Sequence, residues 1–487
     1  MDSLIPQIVE NFKAAYGLKI TDSSDMFLAE KNLLEFLMKL GRGVMSKVFE
    51  GMEKGYEGAV VNKEGRKYKF VGYRTTSLHG LFGMIEYKRA YYFSKQEGGG
   101  GYFPLDEKLG IDKRHTPGCQ YFLSSFTGRE AYQKSLERFH EIFRPDATEL
   151  ISTRKSLDMD AELGARLESL RQQEIAQVFV AKRAVAKENV IKDVMAVSAD
   201  ATKLRQRGQE ELSADGKKSY PSIWRDAKIG AVSSIGWDEK RQEAFCSASS
   251  YVSGIEHADL FFKRLTVEML RRAEDLKRVH VVFLADGAKW IWDRFIEIAP
   301  EHSTLILDFY HACEHVSDIC KHLYGEQTPG YWKQFKGWKD MLFEGKGEEF
   351  LQELHQIRDS GEHAQNRDFI QGEINYFDDN RERIHYDRYR AMRLPIGSGT
   401  IESACKNVIG GRMKQGGMTW SETGADGMLQ IRSSIASGRH LQDFLATLDR
   451  AACIYLLFEI APGSHAKLQA RGYSRREPKD DHLLFGA

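Results

Sequence analysis

Three acidic residues sit where the local pattern of the chain changes. Asp200 closes the apolar run Val194-Met-Ala-Val-Ser-Ala-Asp200, and Asp286 closes Val281-Val-Phe-Leu-Ala-Asp286. Glu402 lies in Gly397-Ser-Gly-Thr-Ile-Glu402-Ser-Ala-Cys-Lys406, a glycine loop that runs into a helix-like segment. Two strand-end aspartates and a helical glutamate are a donor set able to hold two divalent cations about 3.5–4 Å apart over a phosphodiester. Mg2+ takes hard oxygen ligands and keeps several waters, so three carboxylates plus substrate phosphate suffice, with Mn2+ able to substitute. Asp200 is expected to bridge, and Asp286 and Glu402 each to complete one side. The chemistry that follows is polynucleotidyl transfer: charge on the equatorial and leaving oxygens is neutralised, and water or a 3′-OH is activated.

Other residues could support that site. Asp308 and His311, in Asp308-Phe-Tyr-His311, either orient the phosphate and a ligand carboxylate or form a structural hydrogen bond at a strand end. Lys203, Arg205 and Arg207 follow Asp200, Lys289 follows Asp286, and Lys406, Arg412 and Lys414 follow Glu402, all as candidate phosphate contacts. Trp420 or Trp290 could stack an unpaired base, with core packing as the competing reading. Two patterns point elsewhere. His311-Ala-Cys-Glu-His315 fits the H-x-x-E-H of inverted zinc peptidases, but His311 directly follows a strand-like run and is expected to precede the helix. Gly397-Ser-Gly399 lacks the G-x-S-x-G order of a serine nucleophile.

The elements that must position these groups can be read from periodicity. Residues 1–55 are helical in pattern, whereas 56–95 alternate as strands do, and Gly98-Gly-Gly-Gly101 reads as a flexible tip. Helical pattern resumes from Pro117 to Gln177. Thr127-Gly-Arg-Glu130 reads there as a capping box, and Pro145-Asp146 separates two helices of a candidate helix-turn-helix. From 190 the order is a three-strand meander (Val194–Asp200, Ile229–Trp237, Ala244–Val252), helix 258–276, strand Val279–Asp286, helix Lys289–Ile298 and strand Thr304–Phe309. That order predicts an α/β, ribonuclease-H-like (retroviral-integrase-like) core, with a mainly α N-terminal DNA-binding region and a small β element. The expected division is 1–115 and 116–189 for end binding and linker, 190–311 and 395–445 for the core, 312–394 for a helical insertion, and 446–487 for a C-terminal helix and tail.

Composition excludes more than it selects. Seventy Lys and Arg balance seventy Asp and Glu, so bulk charge names no partner. Charge is segregated, however: residues 62–95 hold eight basic against two acidic groups, 381–440 ten against five, and 341–380 three against ten. Separate basic stretches suit a polyanion. Six scattered cysteines without a C-x-x-C pair fit neither a disulfide framework nor a zinc ribbon and are expected of a reducing compartment. No signal peptide or apolar span of membrane length is read, so a cytoplasmic, nucleoid-associated protein with no membrane partner is expected.

Several blocks resemble the signature segments of ISKra-type bacterial insertion-sequence transposases, DDE enzymes related to Mutator-like elements. They are Leu284-Ala-Asp-Gly-Ala-Lys-Trp-Ile-Trp292, Leu305-Ile-Leu-Asp-Phe-Tyr-His-Ala-Cys-Glu-His315 and Arg393-Leu-Pro-Ile-Gly-Ser-Gly-Thr-Ile-Glu-Ser-Ala-Cys-Lys406. Gly416-Gly-Met-Thr-Trp-Ser421 and Met428-Leu-Gln-Ile-Arg432 extend the similarity, which is strong over 190–440. The resemblance implies Asp200, Asp286 and Glu402 as the triad, and Asp308-Phe-Tyr-His311 as the C/D-x-x-H motif of the Mutator-like branch. It also implies a paired-cysteine knuckle after Tyr91-Tyr92, where this chain reads Phe-Ser-Lys-Gln-Glu-Gly-Gly-Gly-Gly. Zinc-dependent DNA reading is therefore not expected there. The resulting expectation is a transposase that binds double-stranded terminal repeats and target DNA, works as a homodimer or larger, and cleaves and joins strands with Mg2+. The alternatives are a metal-dependent nuclease or domesticated transposase without integration, and a catalytically silent DNA-binding protein.

Overall fold

The computed structural model describes residues 4–17, 20–111, 114–144, 150–212, 218–360 and 363–448. They fall into two compact units: one holds residues up to Arg166 together with the helix His440–Ala446, and the other holds Leu167–Arg439. Among the described residues no helix is long and apolar enough to cross a membrane.

The first unit opens with α1 (Ile5–Tyr16) and α2 (Ser23–Gly51). Asp22 caps α2 by accepting the N–H groups of Ser24 and Asp25 at 2.8 Å. Only Ala29 of α2 is buried, and Phe27, Leu33, Leu37 and Val44 stay exposed. An antiparallel sheet follows in the order β1 (Val60–Lys63), β2 (Arg66–Gly80), β3 (Gly83–Ser94), β4 (Gly100–Tyr102). Leu78, Ile85 and Tyr87 from the sheet pack with Met45 and Phe49 of α2 and with Leu105 of α3 (Pro104–Lys108). The glycine run is not a free tip: Gly100 and Gly101 pair with Ser94 and Phe93 as the start of β4. Next come α4 (Pro117–Thr127), α5 (Tyr132–Phe143) and α6 (Thr153–Ile175), and the boundary between the units falls within α6. The expected capping box is not formed, because Thr127 ends α4 and α5 starts after Ala131 without a side-chain cap. Pro145-Asp146 lies outside the described residues.

The second unit is an α/β layer structure. Its sheet comprises β5 (Val194–Arg207), β8 (Ser222–Asp238), β9 (Glu243–Gly254), β10 (His280–Ala285) and β11 (Ser303–Leu307), in the order β11-β10-β5-β8-β9. Between β5 and β8 lies the two-residue ribbon β6 (Glu211–Leu212) and β7 (Lys218–Ser219). The meander β5-β8-β9 is antiparallel, while β10 and β11 run parallel to β5. Residues Val281–Ala285 are completely buried, as a parallel strand covered on both faces requires, which explains their unbroken apolar run. Helix α7 (Ala258–Arg272) crosses β8 at Gly230, where a side chain would run into Leu265 and Phe261. Helix α8 (Lys289–Ile298) joins β10 to β11.

Two boundaries differ from the sequence reading. Strand β5 does not stop at Asp200, because its ladder with β8 continues to Arg207↔Ser222. Strand β11 ends at Leu307, and α9 (Phe309–Tyr324) begins at once, capped by Asp308. Four more helices follow: α10 (Pro329–Phe343), α11 (Gly347–Asp359), α12 (Arg367–Asp379) and α13 (Tyr386–Ala391). Their buried Trp338, Phe350, Ile374 and Phe377 belong to the same hydrophobic cluster as β10, so this helical segment shares its core with the sheet. The chain then forms α14 (Gly399–Ala404), a π-helical turn over Cys405–Gly410, α15 (Gly411–Met413) and α16 (Glu422–Ala436).

Candidate active site

Register places the first two acids. Strands β5 and β10 are parallel and last paired at Ser198↔Leu284. Two residues further on lie Asp200, still within β5, and Asp286, just past the end of β10, near enough for the Asp286 charge to push the Asp200 pKa up. Adjacent strands lie about 4.8 Å apart, so the two carboxylates repel one another. Asp200 sits where β5 has left β10 but still pairs with β8. Its Oδ1 accepts the Ala201 N–H at 2.6 Å and its Oδ2 accepts the Cys405 thiol at 3.1 Å. Burial pushes its pKa up, the Cys405 and Ala201 hydrogen bonds oppose that, and Asp286 adds to the rise. Asp286 Oδ1 accepts the Ala288 N–H at 3.1 Å across a tight turn in which Gly287 has φ +85°.

Glu402 arrives from the other side, exposed in the first turn of α14. Partial burial raises its pKa first, then the charges of Asp308, Glu314 and Asp200. Glu402 and Asp200 line one open cavity of about 600 Å³ with Thr202, Cys405, Lys406 and Lys414. Asp286 is not in its lining. Among the described residues no three His, Cys, Asp or Glu side chains form a group ready to hold a metal ion.

Asp308 is fully buried, and both of its carboxylate oxygens accept backbone N–H groups. Its Oδ1 accepts the His311 N–H at 2.7 Å, capping α9, and its Oδ2 accepts the N–H of Ser398. The backbone adds two further links, Asp308 N–H to Ala285 O at 2.9 Å and Phe309 N–H to Ile396 O at 2.8 Å. Asp308 therefore ties the end of β10, which carries Asp286, to the loop that delivers Glu402. His311 lies inside α9 rather than before it, a correction that removes the first objection to the H-x-x-E-H pattern. His311 and His315 do share a turn, with ring centroids 5.0 Å apart. Each instead turns Nδ1 to a different carboxylate, Glu314 at 3.0 Å and Glu373 at 2.8 Å, so their geometry is that of two separate pairs.

The candidate DNA contacts separate into groups. Lys406 and Lys414 line the cavity, and Lys414 donates to Thr202 Oγ1. Lys203, Arg205 and Arg207 are exposed but alternate with Asp200, Thr202 and Leu204, so they occupy the opposite face of β5 and not the acid face. Exposed Trp224 stands directly across from Arg205 on that far face, a neighbour the sequence did not single out. Lys289 is the exposed first residue of α8 and follows its N-cap Ala288. Arg412 and Trp420 are corrected: both are buried, with the Trp420 Nε1–H donating to Met413 O at 2.9 Å and its backbone bonded to Arg205 and Arg207. Trp290 packs at 6.0 Å from Phe262. Cys405 was missed as a contact, although it lies within the block that carries Glu402.

These features define an α/β protein with acids gathered where the parallel strands of its central sheet end. Residues 24–444 match the Uncharacterised protein family (UPF0236), and the chain belongs to that family. Two relatives come from Caldanaerobacter subterraneus subsp. tengcongensis. UPF0236 protein TTE0610/TTE0881/TTE1053/TTE2432 is 22% identical over 424 residues, covering 84% of this chain and 77% of its own. UPF0236 protein TTE1650/TTE2708 is 22% identical over 424 residues, covering 84% and 73%.

Proposed function

We propose that the protein is a DDE transposase of the ISKra type, with a ribonuclease-H-like core that cleaves transposon ends and joins them to target DNA. The observation that carries the reading is that Asp200 and Asp286 each follow the last β5–β10 pair by two residues, with Glu402 on the cavity that Asp200 lines. The sheet order supports it: numbered within the core, the strands run 5-4-1-2-3, with a meander and two parallel additions. The composite names of the relatives, joining four and two designations, fit genes repeated within a genome, as self-mobilising genes are.

The donor set suits Mg2+. All three groups are hard oxygen donors, and none forms an ion pair with Lys or Arg among the described residues. Mg2+ binds through one or two carboxylates and completes its shell with water and substrate phosphate. Bound there, a divalent cation supplies charge neutralisation at the phosphate and a lowered pKa for the attacking hydroxyl. The protein's own contributions are distinct. Lys406 and Lys414 attract the phosphate backbone, Cys405 orients Asp200, and Asp308 fixes the spacing between the loops of Asp286 and Glu402. Bringing two ends together requires at least a dimer, and we assign the contact to a second copy of α2. Its exposed Leu33, Leu37, Leu40 and Val44 follow the 4-3-4 spacing of self-pairing helices. Light scattering of a Leu37→Glu variant, monomeric where the parent is not, tests that assignment.

The decisive experiment incubates the protein with duplex carrying the terminal repeat in Mg2+, Mn2+ or EDTA, beside Asp286→Ala. Metal-dependent nicking at the repeat boundary, lost in the variant, is expected, and products joined to a target plasmid distinguish transposase from nuclease. Binding without cleavage in either metal would favour the silent DNA-binding alternative.

A further inference from the structure

The helical segment between β11 and α14 carries a side chain to the acid site that the mechanism above does not use. Tyr376 projects from α12 onto the turn after β10, so closely that a Cβ on Gly287 would meet its hydroxyl at 2.7 Å and its ring carbon Cε2 at 2.5 Å. Gly287 is thus required twice, by its left-handed backbone and by the ring that occupies the place of a side chain. The ring is held from behind, stacked on His315 at 3.7 Å and 16°, and His315 in turn bonds Glu373 of α12 at 2.8 Å. The hydroxyl so fixed is enclosed and has no hydrogen-bond partner. A buried hydroxyl left in that state costs about 1–3 kcal/mol, and such groups call for an explanation. Burial, followed by the nearby Asp286 carboxylate, pushes the phenol pKa well above its ordinary value, so the group keeps its proton and can only donate to an anion.

We propose that Tyr376 is a positioning residue for Asp286: with that carboxylate turned to hold a divalent cation, the Tyr376 hydroxyl would donate to its second oxygen and fix its orientation. Ala288 already holds Oδ1, which leaves Oδ2 for this bond. Hydrogen bonds to a ligating carboxylate set its direction and basicity, and losing one typically costs about 10–100-fold in metal affinity. The inference rests on the two-metal reading, and it gives the helical segment the role of bringing one rigid donor to one metal ligand.

Tyr376→Phe removes the oxygen and keeps the ring. Mn2+ binding followed by electron paramagnetic resonance on DNA-free protein is expected to weaken about 10–100-fold. The Mg2+ concentration for half-maximal cleavage should rise in parallel, while the melting temperature without metal stays level or increases. Wild-type Mn2+ affinity in Tyr376→Phe, beside a parent that binds Mn2+ and loses binding in Asp286→Ala, would overturn the inference and leave the two-metal reading intact. A parent that neither binds Mn2+ nor cleaves would overturn both. A fall in melting temperature at unchanged affinity would show packing to be the whole role.

Discussion

Glu268 and the Asp200–Glu402 pair are acids of the same unit with opposite surroundings. Glu268 lies 2% exposed in α7 and accepts a fork from Arg439 at 2.7 and 2.9 Å, with Arg271 at 3.3 Å. Burial would raise its pKa, but the Arg439 charge and hydrogen bond, then Arg271, hold it far below the carboxylate range. Asp200 and Glu402 are less buried, yet their pKa values move up, since burial and neighbouring acids are not answered by any arginine. The difference teaches how to separate a carboxylate that holds a fold together from one kept available. The first is neutralised by the protein itself. The second is left without a protein counter-charge.

The largest effects would break this comparison outright. Asp200→Asn, Asp286→Asn and Glu402→Gln should each lower cleavage by about 10³-fold or more, several kcal/mol of barrier. Asp200→Asn should unfold no more easily than the parent in the absence of metal, because it removes repulsion. Glu268→Gln should do the reverse. Removing the central member of a buried ion network leaves Arg439 with Glu188 at 3.7 Å and Arg271 with Glu174 at 2.7 Å but takes away the carboxylate they share, a cost of about 3–5 kcal/mol in urea unfolding. A Glu268→Gln protein as stable as the parent, or an Asp200→Asn protein markedly less stable, would refute the division.

The acids were legible in the sequence because each ends or begins a pattern: the apolar runs Val194–Ala199 and Val281–Ala285, and the glycine loop before Glu402. The order of strands and helices was legible for the same reason, since β10 is apolar from Val281 to Ala285 and Lys289–Ile298 is amphipathic. What escaped depends on pairing. Strand β5 was cut short at Asp200 because beyond it the residues alternate exposed cations with buried Leu204 and Gln206, which reads as polar sequence until β8 is seen opposite. The same alternation sends Lys203, Arg205 and Arg207 to the far face. Arg412 reads as surface chemistry and only tertiary packing shows it buried, whereas for Trp420 the core-packing reading is the one the structure bears out. Tyr376 leaves no signal at all, because its meaning lies in a glycine 89 positions away by numbering.

Acidity should sharpen the comparison at the next level of effect. For Glu268 the folded pKa is depressed, so its stabilisation is complete above the unfolded value near 4.3 and fades as pH falls below it. For Asp200 the folded pKa is raised, so its cost is complete above that raised value and vanishes as pH falls toward the unfolded value near 3.9. Unfolding free energies between pH 7 and 3 should therefore show Glu268→Gln converging with the parent at low pH from below. Asp200→Asn should converge from above. Divalent cation should mimic acid for the second pair of curves alone: saturating Mg2+ raises the parent toward Asp200→Asn at pH 7. Identical pH profiles for the two variants would contradict the opposite signs.

The smallest expected effect concerns the two faces of β5, and it decides which cations serve the acid cavity. Lys414, bonded to Thr202 beside Asp200, should contribute about one phosphate contact. Lys414→Ala should then weaken binding of a short end duplex several-fold and lower the salt-dependence slope by about one. Arg205 lies across the strand beside Trp224, bonded to Ser222 at 2.8 Å, with no place in the cavity lining. Arg205→Ala should leave both the affinity and the slope of that short duplex unchanged, and alter binding only when the DNA is long enough to wrap to the far face. Equal losses from both variants on the short duplex would mean that the acid face is not the one DNA occupies, and the assignment of Lys406 and Lys414 would fall with it.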